Sequence, residues 1–148
     1  MGNTLTRLAI ARIQLERSID LYVQGTTADL VCAVTLAAAA EEILGRLVKK
    51  GGAQSALEEA ITRLCGMYEA AFREKSDPKV FVELRNKARN TFKHLSDGTD
   101  FSGDLEREAS SMIRRAIENH RKLGCGFVDK YRAFQAEMVT RHQRRRGI

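Results

Sequence analysis

Apolar positions recur along this chain at three- and four-residue spacing, which is the period of a helix buried on one side. Leu5, Leu8, Ile13, Leu15 and Ile19 predict a first helix from about Thr4 to Val23, ended by Gly25. Thr26 or Thr27 can cap a second helix, which carries Asp29 in its first turn and stops after Lys49 and Lys50 at Gly51-Gly52. It is apolar on most sides, so it is expected at the centre of a bundle. A third helix is expected over about Gln54 to Arg73, on the series Leu57, Ile61, Leu64, Tyr68 and Phe72. Asp77-Pro78 starts a fourth, because aspartate caps well and proline fits the first helical position. This helix, from Pro78 to about Leu95, turns Val80, Phe81, Leu84, Ala88, Phe92 and Leu95 inward and ends at Ser96-Asp97-Gly98. A fifth runs from about Asp104 to Leu123, with Leu105, Ala109, Met112, Ile113, Ala116 and Ile117 facing the core. Beyond Gly124-Cys125-Gly126, a last helical segment from Phe127 to about Val139 fades into a basic end.

No β-branched run alternates as a strand would, and Pro78 is the single proline. The expected fold is therefore all-α: an up-and-down helical bundle of about five helices with a sixth at the C-terminal end. A chain of 148 residues, 43% of them hydrophobic, can build one real core. It divides into one helical domain over 1–140 and a basic tail over 141–148. The net charge of +6 is weighted to that tail, through Arg141, Arg144, Arg145 and Arg146. Such Arg-rich ends are mostly solvated, with non-specific contact to nucleic acid as the functional version. Cys32, Cys65 and Cys125 lack Cys-x-x-Cys spacing and read as reduced thiols of a cytoplasmic protein. The N-terminus has no signal-peptide pattern, and the apolar stretch Leu30 to Ala40 is too short to span a bilayer, so no membrane role is expected.

The fourth helix carries the chemistry. At 100° per residue, Asn86, Arg89, Asn90, Lys93 and His94 fall within an arc of about 140°, opposite the apolar face. Asn90 and His94, four apart, are neighbours, and the long Arg89 side chain can reach the same patch. Arginine holds phosphate charge, and histidine moves protons near neutral pH. The plain alternative is a solvated face, with His94 favoured by the helix dipole. His120, among Glu118, Arg121 and Lys122, is expected to be solvated. No Glu-x-x-His pair occurs, so no metal site and no cofactor are expected.

An arginine followed by a polar residue, with a histidine four to six residues on, in a compact helical bundle, resembles the HEPN superfamily. Arg89-Asn90-Thr91-Phe92-Lys93-His94 has that form, and Ala38-Ala39-Ala40-Glu41-Glu42-Ile43-Leu44-Gly45 is similar to the second helix of small bacterial members. The helix order extends the likeness from about Leu5 to Leu123. Many HEPN proteins are metal-independent endoribonucleases, often toxins paired with a nucleotidyltransferase-like antitoxin, and they commonly dimerise so that two motifs line one cleft. The resemblance thus implies a homodimer that binds RNA or a nucleotide. His94 would transfer the proton of a ribose 2′-hydroxyl or of the leaving oxygen, and Arg89 would hold the phosphate. Asn90 would orient His94 or the phosphate, and Lys93 would add positive potential. Other members are non-catalytic binding modules, and a plain helical interaction protein is a third reading. Glu41 lies on an apolar stripe with Leu30, Val34, Ala37 and Val48, so it needs a partner; Arg85 or Arg89 is expected. It would be a structural ion pair or a group that positions the catalytic arginine. Glu42, nearer Thr35 and Arg46, is expected in solvent.

Overall fold

The computed structural model describes residue 2, residues 4–93, 100–126 and 129–148, and only the backbone of Lys93. His94, Leu95 and the helix stop Ser96-Asp97-Gly98 lie outside the described residues, as does Phe127, the expected start of the last segment. Among the described residues the chain is all-helical, with seven helices and no strand: α1 (Arg7–Gln24), α2 (Thr27–Lys50), α3 (Ala56–Phe72), α4 (Pro78–Arg85), α5 (Lys87–Lys93), α6 (Leu105–Lys122) and α7 (Asp129–Arg146). None is long and apolar enough to cross a membrane.

The helix starts follow the capping chemistry of the sequence. Thr26 accepts from the Asp29 amide while Asp29 reaches back to the Thr26 amide, and Ser55 and Glu58 repeat this reciprocal box on α3. Asp77 caps α4 and Asp104 caps α6. Gly25 closes α1 at a φ of 77°, donating to the Leu21 carbonyl, a conformation that costs glycine nothing.

α2 is the central helix, packed along both α1 and α6. Its small residues Ala33, Ala37, Ala38 and Ala40 are buried, so the neighbouring backbones approach closely around Leu15, Ile19, Leu44, Met112 and Ile113. α7 lies on α1, α5 on α2, and α3 on both α6 and α4.

The expected fourth helix is two helices. It breaks at Asn86, whose φ of −110° and ψ of 9° leave the helical region. Asn86 is buried, and its Oδ1 accepts from Arg115 Nη2 at 3.0 Å. That side-chain bond holds the bend, and the ladder resumes at once with the Asn90 amide on the Asn86 carbonyl. The bend also alters the expected faces. Ala88 is buried, whereas Val80 and Leu84 on α4 are 50% and 60% exposed. Leu5, Ile13 and Phe72, also assigned to apolar faces, stand out in solvent too.

The basic end is structured. α7 runs through the expected boundary at 140 to Arg146. Arg141 donates to the Tyr22 carbonyl at 2.7 Å and lies 4.5 Å over the Tyr22 ring. Arg145 reaches Asp104, the α6 cap, at 2.6 Å. Arg144, Arg145 and Arg146 are all exposed, but Arg145 is ion-paired, so the expected free solvation fits Arg144 and Arg146.

Asn119 ties three helices. Its Oδ1 accepts from the Ala56 amide at the start of α3 at 2.7 Å, and its Nδ2 donates to the Glu41 carbonyl at 3.3 Å. Gly45 makes room for it: a Cβ there would fall 3.3 Å from Asn119 Nδ2. Asn119→Leu leaves a buried amide without a partner and is expected to lower stability by about 2–3 kcal/mol in urea unfolding. A loss below about 1 kcal/mol would mean that water substitutes for the side chain.

His120 is buried rather than solvated. Its Nδ1 lies 2.8 Å from the Tyr131 hydroxyl, and the rings meet edge to face. Burial lowers the His120 pKa and pushes that of Tyr131 up to about 12. A histidine whose folded pKa lies below the ordinary 6.5 is held neutral, so its contribution is complete above that value and is lost as pH falls through it. The melting temperature of the wild type is therefore expected to drop more steeply from pH 7.5 to pH 5.5 than that of His120→Gln. The extra slope is at most about 1.4 kcal/mol per pH unit. Parallel curves for the two proteins would refute the assignment.

Candidate functional site

α5 seats on α2 through Ala88, which is fully buried, and Phe92, which packs edge to face on Phe101 at 5.2 Å. That seating turns Arg89 towards α2. Arg89 Nη2 donates to Glu42 Oε2 at 2.6 Å, and the arginine side chain keeps 19% of its exposure. Glu42 Oε1 is also held by Arg46, at 2.7 Å. One carboxylate thus serves two guanidinium groups, leaving the trio net positive. Glu42 is half-buried and paired, not a solvated residue, because α5 lies across its face of α2.

Beside this trio is a pocket of about 260 Å³ lined by Thr35, Ala38, Ala39, Glu42, Arg89 and Phe92. Its wall is apolar apart from the ion pair and Thr35. A guanidinium fixed by a carboxylate on one arm loses rotamer freedom, which lowers the cost of placing its remaining donors on an anion.

The other site residues divide. Asn90 is exposed on α5, one residue from Arg89. Lys93 ends α5. His94 follows it outside the described residues. Asn86, expected on the same polar arc, is drawn into the core by Arg115. The 100° spacing presumes an unbroken helix, and the bend at Asn86 removes that residue from the patch.

Glu41 is buried, as its apolar stripe implies, but the nearest guanidinium is Arg115 on α6 rather than Arg85 or Arg89. Arg115 Nε stands 4.0 Å from Glu41 Oε1, too far for a hydrogen bond. Arg115 Nη2 donates to Asn86 and approaches Met112 Sδ at 2.8 Å, while Nε and Nη1 are buried with no hydrogen-bond partner among the described residues. Burial raises the Glu41 pKa against the pull of Arg115 and Arg89, and burial lowers that of Arg115 against the pull of Glu41. Both groups move towards neutrality, so desolvation outweighs their attraction at this distance. Glu41 therefore touches Arg89 only through its field, and Glu42 is the residue that positions it.

Sequence reasoning missed Glu42 and Arg115. The signal for Arg115 was present: it follows Met112 by three residues, and Ala116 and Asn119 continue the same buried face. A cation set into such a face calls for buried partners. Among the described residues, no group of three or more histidine, cysteine or acidic side chains is placed to hold a metal ion. Neither a family model, nor a curated protein, nor a solved structure matches this chain.

Proposed function

We propose that this protein is a HEPN-like, metal-independent endoribonuclease that acts as a homodimer in the cytoplasm, as the toxin of a toxin–antitoxin or defence pair with a nucleotidyltransferase-like antitoxin. The observation that carries this reading is the Arg89 guanidinium, half-buried and held by Glu42 at the rim of a pocket, in the helix that leads directly into His94. Arg89 binds the scissile phosphate and stabilises the charge that builds on its oxygens. His94 takes the proton of the ribose 2′-hydroxyl. The 2′-oxygen bonds to phosphorus, the bond from phosphorus to the 5′-oxygen breaks, and the leaving oxygen takes up a proton. The products are a 2′,3′-cyclic phosphate and a free 5′-hydroxyl. Asn90 orients the histidine or the phosphate, and Lys93 adds positive potential. The exposed Met67, Phe72, Val80 and Leu84 on α3 and α4 supply apolar surface of the kind that a homodimer covers.

The test is cleavage of a labelled RNA with chelator present, by the wild type, Arg89→Ala and His94→Ala. Cleavage by the wild type alone supports the site; equal cleavage by all three proteins removes it.

A second reading is a non-catalytic nucleotide-binding module, favoured by the apolar wall of the same pocket. A base can stack on Phe92 against Ala38 and Ala39 while a phosphate meets Arg89. It predicts saturable nucleotide binding, abolished by Arg89→Ala, with no RNA cleavage by any of the three proteins.

A further inference from the structure

Four arginines from three helices line a second cleft, of about 370 Å³, away from the Arg89 pocket: Arg63 on α3, Arg85 on α4, and Arg114 and Arg115 on α6. Two carboxylates share its wall, but each already has a cation elsewhere. Glu59 is bonded to Lys122, and Glu118 lies 3.6 Å from Arg121. No ion pair or hydrogen bond among the described residues engages Arg63, Arg85 or Arg114, and Arg115 keeps two buried nitrogens without a hydrogen-bond partner. Glu108, in the adjoining cleft, has its pKa raised by burial, against the pull of Arg115, Arg107 and Arg85. The cleft is therefore left with more positive charge than its own carboxylates neutralise. Arg85 already acts against the charge of Arg115, and like charges lining one cleft favour an anion among them. The planar guanidinium forks match phosphate oxygens two at a time.

The geometry points to a binding cleft for a polyphosphate group, at least two linked phosphates, clamped between α3, α4 and α6 by Arg63, Arg85 and Arg114, with Arg115 buried behind them on Glu41. The linked phosphates supply three or four negative charges to three arginines without an ion pair among the described residues, which a single carboxylate or an apolar ligand does not. Because the cleft draws on α3 and α4 as well as α6, a bound polyphosphate joins that helix pair to the bundle. This inference does not rest on RNA cleavage and stands if the Arg89 site proves inactive.

The test is isothermal titration of the full chain with pyrophosphate at low salt, repeated with ATP. Arg63 and Arg114 are exposed, so the double variant Arg63→Ala/Arg114→Ala is expected to fold, which its thermal melt verifies. Saturable binding is expected, weakened by about tenfold or more in that variant, since each removes charge-assisted bonds. The control is Arg144→Ala/Arg146→Ala, which removes the same charge from α7 and should leave the affinity unchanged. Equal weakening by both pairs would show diffuse attraction and overturn the cleft, as would the absence of saturable binding to the wild type. Either result for ATP upholds the cleft: tighter binding than pyrophosphate assigns it to a nucleotide, and equal binding to free polyphosphate.

Discussion

Arg89→Ala is expected to slow RNA cleavage by about 10²–10³-fold, the loss that follows removal of one preorganised donor from a transition state. His94→Ala is expected to cost about 10²–10⁴-fold, the usual range for a general acid or base. The instructive variant is Glu42→Gln. It keeps the size of the side chain and a hydrogen-bond acceptor near Arg89 Nη2, but it removes the negative charge that Arg89 and Arg46 share. If Glu42 only neutralises Arg89, the variant binds RNA more tightly and cleaves it as fast. If Glu42 aims the guanidinium, kcat falls while KM stays level, because a misplaced donor harms the transition state more than the ground state. Aiming is the expected outcome, since a contact of 2.6 Å on a half-buried side chain fixes the arm that must meet the phosphate. Single-turnover rates and RNA affinity for the three variants separate these cases. Unchanged rates in Arg89→Ala and Glu42→Gln would leave the trio as a tie between α2 and α5.

Arg115→Met should be the most damaging single change to stability. It strips a buried carboxylate of its nearest cation and takes the donor away from Asn86 Oδ1 at the bend between α4 and α5. Breaking a buried pair from one side costs about 3–5 kcal/mol, which for a domain of this size lowers the melting temperature by roughly 10 °C or more. The loss depends on pH. Glu41 already has its folded pKa raised above 4.5 by burial, and removal of Arg115 raises it further. A group with a raised folded pKa contributes stability below its unfolded value and loses it as pH rises. The deficit of Arg115→Met should therefore widen from pH 5 to pH 8. Glu41→Leu/Arg115→Met removes both charges and should recover at least half of the loss, because Arg115 leaves two nitrogens unbonded and its contact with Glu41 is long. A double variant as unstable as Arg115→Met would show that Asn86, not Glu41, is the partner that matters.

Much of the fold is legible without coordinates because helix ends are local. Thr26 with Asp29, Ser55 with Glu58, Asp77 before Pro78, and Asp104 each satisfy orphan amides within three residues, so the chain itself states where helices begin. The alanine-rich face of α2 likewise announces a central helix. The candidate site is legible only as a string. Arg89, Asn90, Lys93 and His94 stand out as chemistry within one short stretch of sequence, but no local rule says which acid meets Arg89.

That choice belongs to the tertiary structure. Glu41 and Glu42 are adjacent on α2 and face about 100° apart, so a small rotation of α5 against α2 decides which of them takes the arginine. Packing of Ala88 and Phe92 gives Arg89 to Glu42, and α6 brings Arg115 to Glu41. The same long-range contact bends the chain at Asn86 and splits a helix that periodicity reads as continuous. Burial of His120 against Tyr131, and the docking of Arg141 and Arg145 on Tyr22 and Asp104, likewise join residues of separate helices. The sequence alone determined the class of fold, the starts of the capped helices α2, α3, α4 and α6, and the residue types available for phosphate chemistry, since each depends on neighbours within about one turn. Which charges are paired, buried or left facing a cleft was decided only when three helices met, because desolvation and pairing depend on atoms brought from far along the chain.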